Sequence, residues 1–288
     1  MWYIALAGLA VMYLPVYWTA ANGIWTTDDN AHGPIVLAVL VWLFWTKWRS
    51  IVDAPTQPAP VIGWPIFVFG LLLFMAGRAF NMTSLEFGSQ LFVATGVILL
   101  LKGIPALRAA WFPVLYLIFM IPLPGTLVDA ITGPLKQWIS DIVESGLHAL
   151  GYPIARTGVI LQIGQYQLMV ADACSGLHSM FSLSALGTLF MYIMARTSKV
   201  HNAIMLLAIL PIAFTANIVR VAVLVLVTYH LGDEAGQGFL HGAAGMVLML
   251  VALVAFFALD SLLVAVAKRR HPALPPEPAA PADADLPT

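Results

Sequence analysis

Charged residues are scarce in this chain. Lysine and arginine number 13 and aspartate and glutamate 14, so charges make up 9% of the 288 residues while 61% are hydrophobic. Soluble domains carry about 25% charged residues. The chain has no basic stripe that would suit a nucleic acid, which excludes that class of partner. We therefore predict an all-α integral membrane protein whose surroundings are the lipid bilayer.

The chain has a single cysteine, Cys174. A single thiol excludes an internal disulfide, and the scattered histidines lack the number and spacing of a zinc site, so we expect no metal and no other cofactor. Cys174 lies where a polar loop passes into an apolar helix. A lone cysteine in a membrane protein is most often an inert small hydrophobe, but its thiolate is also a strong nucleophile.

Eight apolar runs predict about eight transmembrane helices, since about 20 apolar residues cross a bilayer. The runs cover about residues 2–19, 34–48, 61–80, 85–101, 109–123, 175–195, 203–229 and 242–267, and the second and fifth are short. The first run has no basic leader and is interpreted as a retained span. We expect residues 1–270 to form one membrane domain and residues 271–288, rich in Pro, Ala and Asp, to form a disordered cytoplasmic tail.

The loops predict the orientation, because short loops rich in lysine and arginine stay in the cytoplasm. Cationic clusters follow the second, fourth, sixth and eighth runs: Lys47 and Arg49, Lys102 and Arg108, Arg196 and Lys199, and Lys268, Arg269 and Arg270. Both termini should therefore be cytoplasmic. Arg78, Lys136 and Arg156 are isolated exceptions on the predicted outer side.

The long segment 124–173 falls on that outer side. In residues 126–150, apolar residues at helical spacing alternate with charged ones, which predicts a helix lying in the membrane interface. Residues 154–170 contain short apolar runs around Gly164 and predict a short β-hairpin before the sixth span. This hairpin would deliver the chain to Cys174.

Arg220 lies inside the seventh run, three residues after Asn217. It is about nine residues, or roughly 14 Å, from the outer end of that run. An arginine at such depth costs roughly 2.5–3.5 kcal/mol, so it should face a partner or a wet cavity. Two interpretations stay open: an anchor between helices, with Asp172 as the candidate partner, or a group that lowers the pKa of Cys174 or stabilises an oxyanion.

Three histidines are candidates for a catalytic base. His178 lies four residues after Cys174, on the same face of the predicted helix. His230 and His241 lie on either side of the loop after the seventh run. Spacing alone does not choose among them.

Four short motifs of this chain resemble those of the exosortase and archaeosortase family. The resemblance is carried by Ala-Asp-Ala-Cys-Ser-Gly at 171–176, Asn-Ile-Val-Arg at 217–220, His-Gly at 241–242 and an early His-Gly-Pro at 32–34. It extends to about residue 267 and suggests the exosortase B subgroup. It implies a membrane-embedded cysteine peptidase and transpeptidase of the bacterial inner membrane, with an active site that faces the periplasm.

The resemblance also implies the substrate and the residue roles. The substrates are exported proteins with a C-terminal tail of the PEP-CTERM kind: Pro-Glu-Pro, a transmembrane helix and a basic cluster. Cys174 would be the nucleophile, Arg220 the catalytic arginine and His241 the histidine. Supporting roles are expected for Asp172, Asn217, His178 and His32.

Other outcomes stay open at this point. The resemblance implies a thioacyl intermediate on Cys174. Its acceptor is water or an amine on a lipid or glycan. A polytopic transporter would also bury an arginine and interrupt helices with proline. A cysteine-dependent membrane acyltransferase would use the same thioester chemistry with a lipid donor.

Overall fold

The computed structural model describes residues 2–27, 30, 32–123, 125–169, 176–232 and 239–270. These residues are mostly helical, with one small β-sheet, which confirms the predicted fold class. The α-helices are α1 (Trp2–Ala21), α2 (Gly33–Val52), α3 (Pro60–Phe80), α4 (Thr83–Leu101), α5 (Ile104–Ala109), α6 (Trp111–Tyr116), α7 (Gly125–Ala149), α8 (Gly176–Met194), α9 (Lys199–Leu231) and α10 (Phe239–Arg270). The strands are β1 (Ile154–Thr157), β2 (Ile160–Ile163) and β3 (Tyr166–Met169), and 3₁₀ turns cover Ile24–Thr26 and Leu117–Met120.

The apolar helices coincide with the predicted spans. Within the described residues, six helices are long and apolar enough to cross a membrane: α1 to α4, α9 and α10. Two shorter apolar helices, Trp111–Met120 and Phe181–Met194, lie at the predicted fifth and sixth spans. The prediction of a short second span is wrong, because α2 has 20 residues. Its last turns include Lys47 and Arg49, whose long side chains reach past the apolar layer without ending the helix.

The fifth predicted span, 109–123, consists of the short helix α6 and a 3₁₀ turn, and α5 precedes it. Both α5 and α6 have a proline in their first turn, Pro105 and Pro113. A helix accepts proline there because its first N–H groups have no partner within the helix. After α6 the chain continues only as a 3₁₀ turn that ends at Met120. Phe112 and Tyr116 are buried, so this segment fills the core.

The last two described helices are long. α9 has 33 residues and α10 has 32. About 20 residues suffice to cross the hydrocarbon layer, so both helices extend beyond it. α10 ends at Arg270, and the predicted tail, 271–288, lies outside the described residues.

The helix predicted over residues 126–150 is present as α7, and one side of it is buried. Its place in the membrane interface stays a prediction. Ile139, Val143 and Leu147 belong to a core shared with the sheet and α9, whereas Trp138 is 61% exposed. This one-sided pattern is typical of a helix that covers a surface.

The predicted hairpin is present as β2 and β3, and β1 adds a third strand. The order is β1-β2-β3, and both pairs are antiparallel. Each turn begins with a glycine of positive φ, 65° at Gly158 and 57° at Gly164. Two-residue hairpin turns require this left-handed conformation. Leu161 and Ile163 are fully buried, and they anchor the sheet against α7 and α9.

Two of the three isolated cations that were predicted on the outer side contact acidic groups. The Nε atom of Arg78 lies 3.5 Å from Oε1 of Glu86. Arg156 contacts Glu144 at 3.1 Å and Asp141 at 2.9 Å. Arg156 therefore ties β1 to α7.

Helices α3 and α4 pack closely because glycines recur at intervals of seven residues along α3. Gly63, Gly70 and Gly77 are all buried. A Cβ atom at Gly70 would lie 2.7 Å from Cγ2 and 2.8 Å from the backbone N of Val93. Small residues at such spacing allow two membrane helices to approach.

Replacing Gly70 with leucine should destabilise this helix pair by about 1–3 kcal/mol, the usual cost of overpacking. Thermal unfolding in detergent micelles measures the effect. Gly8→Leu is the matched control, because nothing lies within 4 Å of a Cβ atom at Gly8. Equal unfolding midpoints for the two variants would contradict the close packing of α3 on α4.

α8 lies between two groups of helices. One face packs on the first group through Ala185 and Tyr192, and the Tyr192 ring stacks on Phe112 with centroids 3.8 Å apart. The other face packs on α9 and α10 through Leu183 and Phe190. A residue near the start of α8 is therefore within reach of both groups.

Candidate active site

Arg220 and Asn217 lie one turn apart on the buried face of α9. Asn217 is fully buried and Arg220 is 5% exposed. Residues three apart in a helix share a face. Ala213 and Ala216 precede them among the buried residues of α9, and small side chains let neighbouring helices come close. The guanidinium and the carboxamide are thus both buried on the same face of α9.

Two apolar clusters lie along α9, one on each side of Arg220. Met205 and Ile209 pack with α8 and α10. Val221 and Leu224 pack with α7 and the sheet. Arg220 therefore marks the boundary between the helical core and the part of α9 that α7 and the sheet cover.

The axial register of α9 and α10 is defined by a contact far from Arg220. His201 Nε2 lies 2.9 Å from Asp260 Oδ1, near the start of α9 and ten residues before the end of α10. Nineteen residues lead from His201 to Arg220, and nineteen lead back from Asp260 to His241. Each stretch is about 28 Å long at 1.5 Å per residue. The turn of α10 that carries position 241 therefore lies level with Arg220.

The start of α8 lies at the same level. A Cβ atom at Gly187 would lie 3.0 Å from Cγ1 of Ile209, so these two positions are neighbours. Eleven residues lead back from Gly187 to Gly176, the first residue of α8, and eleven lead from Ile209 to Arg220. Equal helical rise brings Gly176 level with Arg220. We call the level shared by Gly176, Arg220 and position 241 the Arg220 layer.

The N-terminal helices bring His32 close to this layer. His32 precedes α2, and its ring centroid lies 6.4 Å from that of Phe181 in the second turn of α8. The indole of Trp25 packs on Gly33, where any side chain would clash, and Pro34 lies in the first turn of α2. The His-Gly-Pro run therefore has a structural role as well as a place beside α8.

The small sheet directs the chain back toward the same layer. The Tyr166 hydroxyl lies 3.7 Å from the place of a Cβ atom at Gly232, just beyond the end of α9. Leu168 is buried in the cluster that the sheet shares with α9. β3 ends at Met169, five residues before Cys174.

Comparison with known families decides which group of proteins this is. The family model described as transmembrane exosortase (EpsH) matches residues 24–258. The chain belongs to the transmembrane exosortase family. No curated protein and no solved structure shows a significant match to it. The matched segment contains all four motifs that carried the resemblance, including Cys174 and Arg220.

Part of the predicted site of this exosortase lies outside the described residues. This applies to the predicted nucleophile, Cys174, and to Asp172. For His178 and His241 only the helical backbone is described, at the third residue of α8 and of α10. The roles of these four residues stay predictions.

His230, the third candidate base in this exosortase, lies away from the Arg220 layer. It follows Arg220 by ten residues on α9, or about 15 Å. Its Nε2 atom lies 3.4 Å from the Tyr152 hydroxyl, and the residue is exposed. The structure therefore does not bring His230 together with Arg220.

A second polar cluster was missed from the sequence. Arg196 and His201 both contact Asp260 at the end of the bundle opposite the Arg220 layer. A signal was available, since Asp260 is the only acidic residue in the apolar run 242–267. We call these three residues the Asp260 cluster.

The guanidinium of Arg220 suits an anionic group. A guanidinium donates hydrogen bonds and accepts none, which fits a developing oxyanion. In the part of the chain that the structure describes, no group of three or more His, Cys, Asp or Glu residues could hold a metal ion.

Proposed function

We propose that this exosortase-family chain is a membrane-embedded cysteine peptidase and transpeptidase. Its substrates would be exported proteins with a PEP-CTERM-type tail, as the resemblance to the exosortase B subgroup implies. The observation that supports this most is the Arg220 layer. A buried guanidinium lies level with the start of α8, just after the only cysteine, and with the turn of α10 that carries His241.

The covalent chain supports Cys174 as the nucleophile. It is two residues from Gly176 in the sequence, a stretch that spans at most about 7 Å, and this short connection to the Arg220 layer supports the proposal. Helix N-termini and nearby cationic groups both favour a thiolate over a thiol. Both features occur here, in the start of α8 and in Arg220.

In the proposed reaction, the Cys174 thiolate attacks the carbonyl carbon of a peptide bond just outside the substrate's own membrane helix. A carbon–sulfur bond forms, and the carbonyl electron pair moves to the oxygen, where Arg220 stabilises the charge. The oxyanion then collapses, the carbon–nitrogen bond breaks, and His241 gives a proton to the departing amine.

The product of these steps is a thioacyl enzyme. Water attacks its carbonyl carbon to give a free carboxylate, or an amine of a lipid or glycan attacks to give a new amide. In both cases the Cys174 thiolate is the leaving group, and the deprotonated histidine accepts the proton of the attacking group.

The supporting residues would act around this centre. Asn217 shares the buried face of Arg220 and is suited to orient it or to donate to the oxyanion. His32, beside Phe181, would border the substrate from the N-terminal helices. Asp172 and His178 lie two residues before and four residues after Cys174, close enough in sequence to orient its neighbours.

We place the chain in the bacterial inner membrane, with the Arg220 layer toward the periplasm and both termini in the cytoplasm. Cationic residues that follow the second and fourth predicted spans lie at the same end of the helices as the Asp260 cluster. Lys47 lies 5.8 Å from a ring of α8, and Lys102 donates to a backbone oxygen of the α2–α3 loop at 3.2 Å. Short loops that carry lysine and arginine are retained in the cytoplasm.

The depth of Arg220 also fits this orientation. About 28 Å separates it from the Asp260 cluster along α9, and the hydrocarbon core is about 30 Å thick. Arg220 would then lie at the edge of this core, where water can enter. The estimate of roughly 14 Å below the outer end of the run counted turns that α7 and the sheet cover as part of the span.

The adduct on Cys174 tests this function. Cells producing the chain and an exported protein with such a tail are quenched in acid, and the Cys174 peptide is analysed by mass spectrometry. We expect a hydroxylamine-sensitive thioester to the substrate's new C-terminus, absent when the tail is deleted. A fatty acyl group on Cys174 would favour the acyltransferase, and unmodified Cys174 with an intact tail would favour the transporter.

A further inference from the structure

The Asp260 cluster joins three elements at one carboxylate. Asp260 accepts hydrogen bonds from Arg196 Nε at 3.1 Å and from Arg196 Nη2 at 2.5 Å, and it lies 2.9 Å from His201 Nε2. Arg196 belongs to the α8–α9 loop, His201 to α9 and Asp260 to α10. Asp260 is 4% exposed and His201 9%, among apolar side chains of α8 and α9.

A buried polar cluster of this kind is a poor source of stability. Replacing a buried ion pair by apolar residues of similar volume is often neutral or stabilising, and the best-attested use of such groups is to fix register. Apolar contacts are non-directional, so Ile209 and Ala252 would still pack after a small slide. A hydrogen bond of 2.9 Å would not survive a slide of even one turn.

We propose that Asp260 is a positioning residue that sets the axial register of α8, α9 and α10. Helices are stiff along their axes, so a slide of α10 at Asp260 moves position 241 by the same amount past Arg220. The Arg196 contact fixes the α8–α9 loop in the same way and thereby fixes the start of α8. This inference rests on the proposed function, because it explains how three catalytic positions remain in one layer.

A distance measurement tests the register without any substrate. In a Cys174→Ala chain, which has no other thiol, nitroxide labels are attached at Leu231→Cys and Val254→Cys. Both positions are exposed, and they lie about 36 Å apart along the axes. We expect Asp260→Leu to shift the mean distance by at least one residue's rise, about 1.5 Å. Asp53→Leu, at the exposed end of α2, is the matched control and should cause no shift.

Processing kinetics in chains that retain Cys174 test the consequence. A reacting geometry misplaced by about 1 Å costs about 10²-fold. We therefore expect Asp260→Leu to lower kcat about 10²-fold while KM changes little. Asp260→Asn can keep one hydrogen bond to each partner and should retain more of the rate. If Asp260→Leu does not accumulate, His201→Leu provides the test, because it removes the contact between α9 and α10 while Asp260 keeps its Arg196 partner.

Each result bears on one proposal. An unchanged label distance in Asp260→Leu and His201→Leu would overturn the positioning role. A shifted distance with wild-type processing would overturn it as well. A wild-type chain that processes no tail would overturn the proposed function, whereas the label distances would still measure the register.

Discussion

Replacing Cys174 with alanine should stop tail removal almost completely. Loss of the nucleophile removes the thioacyl route, and nucleophile deletions in hydrolases cost on the order of 10⁶-fold in kcat. The chain should still insert and fold, because the exchange removes only one sulfur atom. We therefore expect full-length substrate to accumulate in cells with a normal level of the variant.

Immunoblotting of the tagged substrate measures this loss, and membrane fractionation measures the level of the variant. Gln167→Ala is a matched control in the same segment, because this side chain is exposed on β3. It should process at a rate near that of the wild type. Tail removal by the Cys174→Ala chain would contradict the nucleophile assignment.

The apolar pattern was sufficient to predict the helices, because a backbone that crosses lipid must satisfy its own hydrogen bonds. The predicted runs 203–229 and 242–267 lie inside α9 and α10. Both helices extend farther at each end, and charged residues such as Lys199 and Arg270 continue the helix at the start of α9 and at the end of α10. Hydropathy detects the layer and not the helix end.

The small strand β1 could not be predicted in the same way. Of its four residues only Ile154 is buried, so its own pattern is too weak to indicate a strand. Its pairing with β2 depends on the Gly158 turn, and Arg156 is held by acidic residues of α7. These are tertiary contacts, which single-sequence patterns do not contain.

The candidate site also has one part that the sequence predicts and one part that depends on tertiary contacts. Arg220 could be singled out because a charge inside an apolar run needs a partner or a cavity. The sequence alone could not show that Arg220 lies level with Gly176 and position 241. Counting residues along the helices requires two contacts as starting points, His201 with Asp260 and Gly187 with Ile209. Motif order predicted the residues, and helix register brings their positions into one layer.

Replacing Arg220 with lysine should lower the processing rate about 10²–10³-fold, or roughly 3–4 kcal/mol of transition-state stabilisation. Lysine keeps the positive charge but loses the planar fork that donates two parallel hydrogen bonds to an oxyanion. If Arg220 only anchored helices, a retained charge at this buried position would preserve much of the function. The size of the loss therefore separates the two interpretations of Arg220.

Steady-state processing of a tail peptide in micelles measures the rate, with thermal unfolding as the check on folding. Arg156→Lys is the matched control, since it makes the same change in an arginine that contacts acidic residues of α7. We expect it to retain a rate within a few-fold of the wild type, because a partly exposed ion pair contributes about 0–1 kcal/mol. Equal rates for the two lysine variants would show that Arg220 is a structural anchor, and the oxyanion would then need another donor, for which Asn217 is the nearest candidate on α9.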